Sequence, residues 1–234
     1  MATDSKVTWL PLESNPDVMN KFIRNLGVPA SWQLVDVLGL DPELLQMVPQ
    51  PVLAVLLLFP YNDKIGLEIA KEDESADKAP TSDLYFIKQT ISNACGTIAL
   101  IHALANNVER IQLDADKSLK KFIDATKTLA PVEKAKILEV NEEICSAHKQ
   151  HAQEGQTSTP NPEEPVSLHF VTLVNVDNFL FELDGRKTSA VNHGATTEAT
   201  FLEDAAKVCK KFIERDPEEV HFSVVALTAA QGDN

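Results

Sequence analysis

With 234 residues, 44% of them hydrophobic, the chain is long enough for one sizeable core or two small ones and reads as a single domain. Its 35 acidic against 21 basic residues leave a net charge of −14, which makes nucleic acid and anionic lipid poor partners; the acidity suits a basic partner or serves solubility alone. The three cysteines, Cys95, Cys145 and Cys209, are odd in number and lack CxxC spacing, so neither a disulfide framework nor a zinc site is expected, and the compartment reads as reducing, most simply the cytosol.

The first residues, MATDSKVTWLPLES, lack the basic start and apolar run of a signal peptide, so export is not expected. Asn15-Pro16 opens a helix whose apolar positions Val18, Phe22 and Leu26 recur at helical spacing and stop at Gly27. SWQLVDVLGL then reads as a strand and DPELLQMV as a short helix. PVLAVLLLFP, residues 51–60, is the longest apolar candidate; it is strand-sized, fenced by prolines and too short to span a membrane. Residues 71–83, KEDESADKAPTSD, carry almost no large apolar side chain and read as a solvated acidic loop.

QTISNACGTIALIHALANN places Cys95 where a buried helix begins, just after the cap candidates Ser92 and Asn93. A thiol at a helix N-terminus meets unpaired backbone N–H groups and the positive end of the macrodipole, and both favour the thiolate. Further on, Ser118 is placed to cap a helix bearing Leu119, Phe122 and Ile123, and Pro131 opens another that carries Val132, Ala135 and Leu138 and extends to Ile144 and Cys145. Residues 149–166, KQHAQEGQTSTPNPEEPV, have no hydrophobic period and read as a long loop.

SLHFVTLVNVDNFLFELDGRK reads as two strands about an Asp177-Asn178 turn. If those two residues form the loop, Val176 pairs with Phe179, and the ladder sets Val171 opposite Asp184 and His169 opposite Arg186. Leu168, Phe170, Thr172, Val174, Val176, Phe179, Phe181 and Leu183 then share the core face, with His169 and Asp184 together on the other. As diagonal neighbours roughly 7–8 Å apart, they are within side-chain reach, which gives the imidazole a carboxylate to fix its tautomer. A helix carrying Phe201, Ala205, Val208 and Phe212 and a strand HFSVVAL close the chain.

Taken singly, each residue has a plainer reading: Cys95 and His169 as core side chains, Asp184-Gly185 as a turn, Gln89 as nothing in particular. Together, Gln89, Cys95, His169 and Asp184 supply an oxyanion donor, a nucleophile, an acid–base group and its orienter, the set a thiol acyl-transfer enzyme needs.

QTISNACGTIALIHA, LHFVTLV and FELDGRK, with WLPLESNPDV near the start and CKKFIERDPEEVHF near the end, resemble the ubiquitin C-terminal hydrolase family of thiol deubiquitinases, most nearly its short L3 type, from about Trp9 to Ala229. The resemblance implies a papain-like α+β fold, a mostly antiparallel sheet between helices with a knotted backbone, and no cofactor or metal. It implies Cys95 as nucleophile, His169 as base and acid, Asp184 as orienter and Gln89 in the oxyanion hole. It makes residues 149–166 an active-site crossover loop, and it implicates Pro11, Leu12, Glu13, Asp36 and Phe222 in holding ubiquitin; structurally, Leu12 could simply pack the N-terminus and Asp36 end a strand. The chain stops soon after AAQGD, without the helical extension of larger members, so a stand-alone monomer is expected. Ubiquitin is the implied substrate, with Nedd8 as a second candidate. A ubiquitin reservoir without useful turnover and a peptidase for unstructured peptides are the alternatives.

Overall fold

The computed structural model describes residues 7–75, 84–156 and 166–231. Helix α1 (Pro16–Leu26) forms for the reasons legible in its sequence. The Asn15 side chain accepts from the Asp17 N–H at 3.0 Å, Pro16 occupies the first turn, and Gly27 ends the helix at φ +104°, a left-handed conformation that a side chain would strain. Strand β1 (Trp32–Asp36), the short α2 (Pro42–Leu45) and β2 (Val52–Pro60) follow as expected, with β2 buried on both faces.

The next element departs from expectation. Residues 71–75, assigned to the solvated loop 71–83, form the last turn and more of helix α3 (Asp63–Ser75), while 76–83 lie outside the described residues. Ile65 and Ile69, one turn apart, bury that helix against the sheet, and Lys71 and Glu72 continue it on its exposed side. Helix α4 (Cys95–Ala105) is buried along its whole length. After α5 (Val108–Ile111) comes α6 (Ser118–Thr126), where Ser118 is the first helical residue and not the cap: Lys117 holds that position without a side-chain bond.

The helix expected from Pro131 through Cys145 is two helices, α7 (Pro131–Glu139) and α8 (Glu142–Ala152). Asn141 between them caps α8, its side chain accepting from the Ile144 N–H at 2.9 Å. Helix α8 also runs into the expected loop 149–166, because His148, His151 and Ala152 extend its buried face; residues 157–165 of that loop lie outside the described residues. Strands β3 (Leu168–Val176) and β4 (Phe179–Leu183) form the expected hairpin, and β5 (Val191–Ala195) adds an edge strand that its polar sequence did not announce. Helix α9 (Phe201–Ile213) and β6 (Ser223–Ala229) complete the chain.

The strands form one six-stranded sheet in the order β1-β6-β2-β3-β4-β5, antiparallel at every pairing. The last strand lies between the first two. Helices cover both faces: α1, α4, α6, α7 and α8 on one core, α2, α3 and α9 on the other. The hairpin register is the expected one from Val176 opposite Phe179 to Thr172 opposite Leu183, about two positive-φ residues, Asp177 and Asn178; the ladder ends there, so the expected pairs of Val171 with Asp184 and His169 with Arg186 do not form. The expectation of a single core face is corrected, since Phe170, Val174, Phe181 and Leu183 enter one core while Val171, Leu173 and Leu180 enter the other. Phe179, expected in the core, is 44% exposed because it starts its strand beside the turn at the sheet's rim.

Candidate active site

Cys95 is the first residue of α4, and its placement depends on the segment before it. Ser92 and Asn93 do not cap this helix. Ser92 instead exchanges backbone hydrogen bonds with the N-terminal segment, donating to Val7 O and accepting from Trp9 N, both at 2.9 Å. Asn93 takes φ +61° to turn the chain, and Ala94 occupies the cap position with no side chain to offer. The first N–H groups of α4 therefore keep their polarity for whatever lies at the thiol. Burial alone would raise the Cys95 pKa, but the hydrogen bond to and the charge of His169, the Phe170 backbone and the Arg186 charge outweigh it and hold the thiol below its usual value.

His169 comes from the start of β3, where it pairs with Phe59 of β2, and is wholly buried. Strand β4 ends at Leu183, so Asp184 is free to turn back, and its Oδ1 accepts from His169 Nε2 at 2.7 Å and from Arg186 N at 2.8 Å. With Nε2 committed to the carboxylate, Nδ1 is the nitrogen left to face the thiol. Burial works against the imidazolium, yet the charge and hydrogen bond of Asp184, with the Cys95 thiolate, raise His169 to about 9. Asp184 is driven the other way: burial would raise it, but His169 and the Arg186 N–H hold it down at about 2. All three shifts point the same way, toward thiolate, imidazolium and carboxylate in a row.

Gln89 approaches from the other side of the same turn. Its backbone N–H donates to Gly185 O at 2.8 Å, and a Cβ on Gly185 would sit 2.9 Å from Gln89 Cβ and 3.1 Å from Gln89 N, so only glycine permits this approach. The carboxamide Nε2 donates to Ile91 O at 3.2 Å, which orients the group and leaves its second N–H for another acceptor. The four residues picked out from the sequence are thus brought to one place by α4, β3 and the turn after β4.

A cleft of about 450 Å³ leads to the thiol. Pro11, Leu12, Glu13 and Phe222 line it together with Cys95, along with Leu58, Leu168 and Phe170, which the sequence reading did not single out. Leu12 also has the packing role: it is buried, 3.0 Å from where a Cβ on Gly96 would lie. Glu13 Oε1 accepts from Asn15 Nδ2 at 3.1 Å and from Gln156 N at 3.3 Å, so it touches the chain just after α8. Asp36 is not among the residues lining the cleft; it ends β1, exposed, with its pKa raised by partial burial and by Asp17. Also unforeseen are Phe59 and Tyr61, whose rings lie 5.8 and 5.5 Å from the imidazole edge-on, and the Arg186 guanidinium 4.1 Å above Tyr61. The hairpin register had hinted at Arg186 alone. Among the described residues, no group of three His, Cys, Asp or Glu side chains is arranged to hold a metal ion, and no helix is long and apolar enough to cross a membrane.

A buried, acidified thiol beside a carboxylate-bound imidazole can act as nucleophile and proton carrier in acyl transfer, and known proteins with this chain's sequence pattern point to one such chemistry. The family model described as ubiquitin carboxyl-terminal hydrolase, family 1, matches residues 9–214. A ubiquitin carboxyl-terminal hydrolase of Aplysia californica is 53% identical over 214 residues, covering 92% of this chain and 99% of that protein. One from Drosophila melanogaster is 46% identical over 229 residues (96% and 99%), and the human isozyme L1 is 46% identical over 226 residues (94% and 98%). Among solved structures, the Trichinella spiralis UCH37 catalytic domain bound to ubiquitin vinyl methyl ester superposes with a TM-score of 0.76 at 27% identity, covering 95% of this chain and 96% of that one. Sequence and fold agree, and the chain belongs to family 1 of the ubiquitin carboxyl-terminal hydrolases.

Proposed function

We propose that this chain is a thiol-dependent hydrolase acting at the C-terminal glycine of ubiquitin, with Cys95, His169, Asp184 and Gln89 as its working residues. The observation that carries this assignment is the acidified Cys95 thiol at the end of the cleft, next to an imidazole whose other nitrogen is held at 2.7 Å by Asp184. The thiolate attacks the glycine carbonyl, forming the C–S bond as the carbonyl π electrons move to oxygen. The Cys95 N–H and the free Gln89 N–H receive that oxyanion. Imidazolium His169 gives its proton to the leaving group as the bond to glycine breaks, leaving a thioester and neutral imidazole. Water then attacks the thioester, His169 takes its proton, and the thiolate departs from a free carboxyl terminus.

Recognition is proposed to fall to the cleft wall, Pro11, Leu12, Glu13 and Phe222, and to Asp36 beyond it. Ubiquitin's tail bears arginine, and a carboxylate such as Glu13 can pair with it bidentately. The flanks of the expected crossover loop, Ala152 and Gly155 on one side and Val166 and Leu168 on the other, line the same cleft, so the size of the leaving group is read there. Nedd8 is carried as a second substrate, and kinship with the short L3 type is part of the same reading.

The test is release of a fluorophore from the C-terminus of ubiquitin, of Nedd8, and of a short peptide ending in ubiquitin's last residues. Ubiquitin is expected to be cut efficiently, the peptide poorly, and the Cys95→Ala variant to be inert. Tight ubiquitin binding without turnover in the parent would favour the reservoir, and equal cleavage of the peptide would favour the general peptidase. Ubiquitin bearing a C-terminal electrophile should label Cys95 and spare Cys209, whose pKa burial pushes up to about 12.

A further inference from the structure

Close behind the active site, two opposite charges are buried where the reaction has no use for them. Glu182 and Lys187 are each 2% exposed, with Lys187 Nζ 2.7 Å from Glu182 Oε1, and His193 Nε2 lies 2.9 Å from Glu182 Oε2. Glu182 lies on the sheet face shared with Leu180, toward the second core. Such a pair is a poor source of stability, because desolvating both ions costs about as much as their attraction returns. Its placement suggests a different use. The chain between the two partners is the turn 184–187, closed by Lys187 N donating to Asp184 O at 3.0 Å.

That turn serves both halves of the site. Asp184 Oδ1 accepts from His169, and Gly185 O accepts from Gln89 N. From outside, Lys88 Nζ donates to the carbonyls of Arg186, at 2.9 Å, and of Lys187. Beyond it, Thr188 donates through its N–H and Oγ1 to Asp73 of α3 at 2.8 and 2.9 Å. The exposed contacts are cheap to break in water, whereas the Lys187–Glu182 tether is shielded from solvent and from salt.

We infer that Lys187, anchored on buried Glu182, is a positioning residue of the active site: it holds the turn 184–187 so that Asp184 orients His169 while Gly185 seats Gln89 beside Cys95. Lys187 touches no reacting atom. It acts through the turn, and the inference rests on the assignment of Cys95, His169 and Asp184 made above.

The experiment compares the parent with Lys187→Met, which keeps the stem and removes the ammonium, and with the double variant Glu182→Gln, Lys187→Met, which also removes the stranded carboxylate. Hydrolysis of fluorophore-tagged ubiquitin gives kcat and KM per folded chain, the folded fraction being read by circular dichroism; Tm and the rate of Cys95 alkylation by iodoacetamide are measured alongside. Lys187→Met should lower both Tm and kcat. The double variant should regain much of the Tm while its kcat stays about tenfold or more below the parent, with KM unchanged and Cys95 alkylation slowed. A double variant whose kcat per folded chain returns to the parental value, or a loss confined to Tm or KM, would make the pair merely structural and overturn the inference. Cys95→Ala is the control for the assignment beneath it: turnover surviving in that variant would sink the site itself, whatever Lys187 does.

Discussion

At the scale of single residues, the site works by opposing shifts. His169 is raised to about 9 although burial disfavours its charge, because Asp184 lies 2.7 Å away, and Cys95 is lowered although burial disfavours its charge too, because His169 is beside it. The imidazolium is therefore present below about pH 9 and lost above it, and the thiolate is lost as pH falls through the lowered Cys95 pKa. The kcat/KM profile should be a bell with its alkaline limb near 9. In Asp184→Asn the charge that raises His169 vanishes and the hydrogen bond from Nε2 loses its charge assistance, so the alkaline limb should move to lower pH. The kcat should drop by a factor on the order of 10² to 10⁴, with ubiquitin affinity and the circular dichroism spectrum preserved. An alkaline limb that stayed in place would mean that another group sets the imidazole. That His169 and Asp184 would meet was legible in the sequence, because a two-residue turn and strand alternation determine register locally. Asp184 leaving the strand to reach Nε2 was not, since it depends on Gly185 fitting against Gln89 from a distant segment.

At the scale of elements, the site is a junction of pieces far apart in the chain. His102 of α4 accepts from Ile87 N at 3.1 Å and stacks on Phe86 at 5.3 Å, which holds the strand-like run leading to Gln89. His148 of α8 accepts from Thr97 Oγ1 and donates to Leu10 O, both at 2.8 Å, with the Trp9 ring 4.4 Å away, which holds the segment carrying Pro11, Leu12 and Glu13 on the cleft wall. Between them lies the contact of Gly185 with Gln89 and with Ile98, whose Cγ2 is 3.1 Å from an added Cβ. Gly185→Ala must push that turn off Gln89 or displace Ile98. It should cost about 1–3 kcal/mol of stability, seen as a lower Tm, and reduce kcat more than KM. If stability fell with kcat unchanged, the oxyanion role of Gln89 would be in doubt.

At the scale of the whole molecule, the same two histidines set a limit on acid tolerance. Burial lowers His102 to about 3 and His148 to about 4, so both are neutral in the folded chain, whereas in the unfolded chain each takes a proton near its ordinary 6.5. Below pH 6.5 the unfolded state binds the extra protons, so stability should fall by a few kcal/mol as pH drops toward 4. The urea midpoint measured from pH 7 to pH 4 should show this fall. His148→Gln, which offers an acceptor and a donor without titrating, should flatten part of it; an unchanged slope would place the linkage elsewhere.

What the sequence determined by itself is whatever depends on neighbours along the chain. The Asn15 cap, Pro16 and Gly27 bound α1, the Asp177-Asn178 turn sets the hairpin register, and a thiol heads a mostly apolar helix. The tertiary structure decided the rest. Helix α3 was hidden because its two buried isoleucines are recognisable only once α9 and the sheet are there to cover them, and no local pattern marks Lys187 before the fold sets it against Glu182. Likewise β6 enters between β1 and β2, and Glu13 meets Gln156, through contacts between segments far apart in the chain. Burial and long-range pairing are properties of the packed chain, and no local period or spacing encodes them.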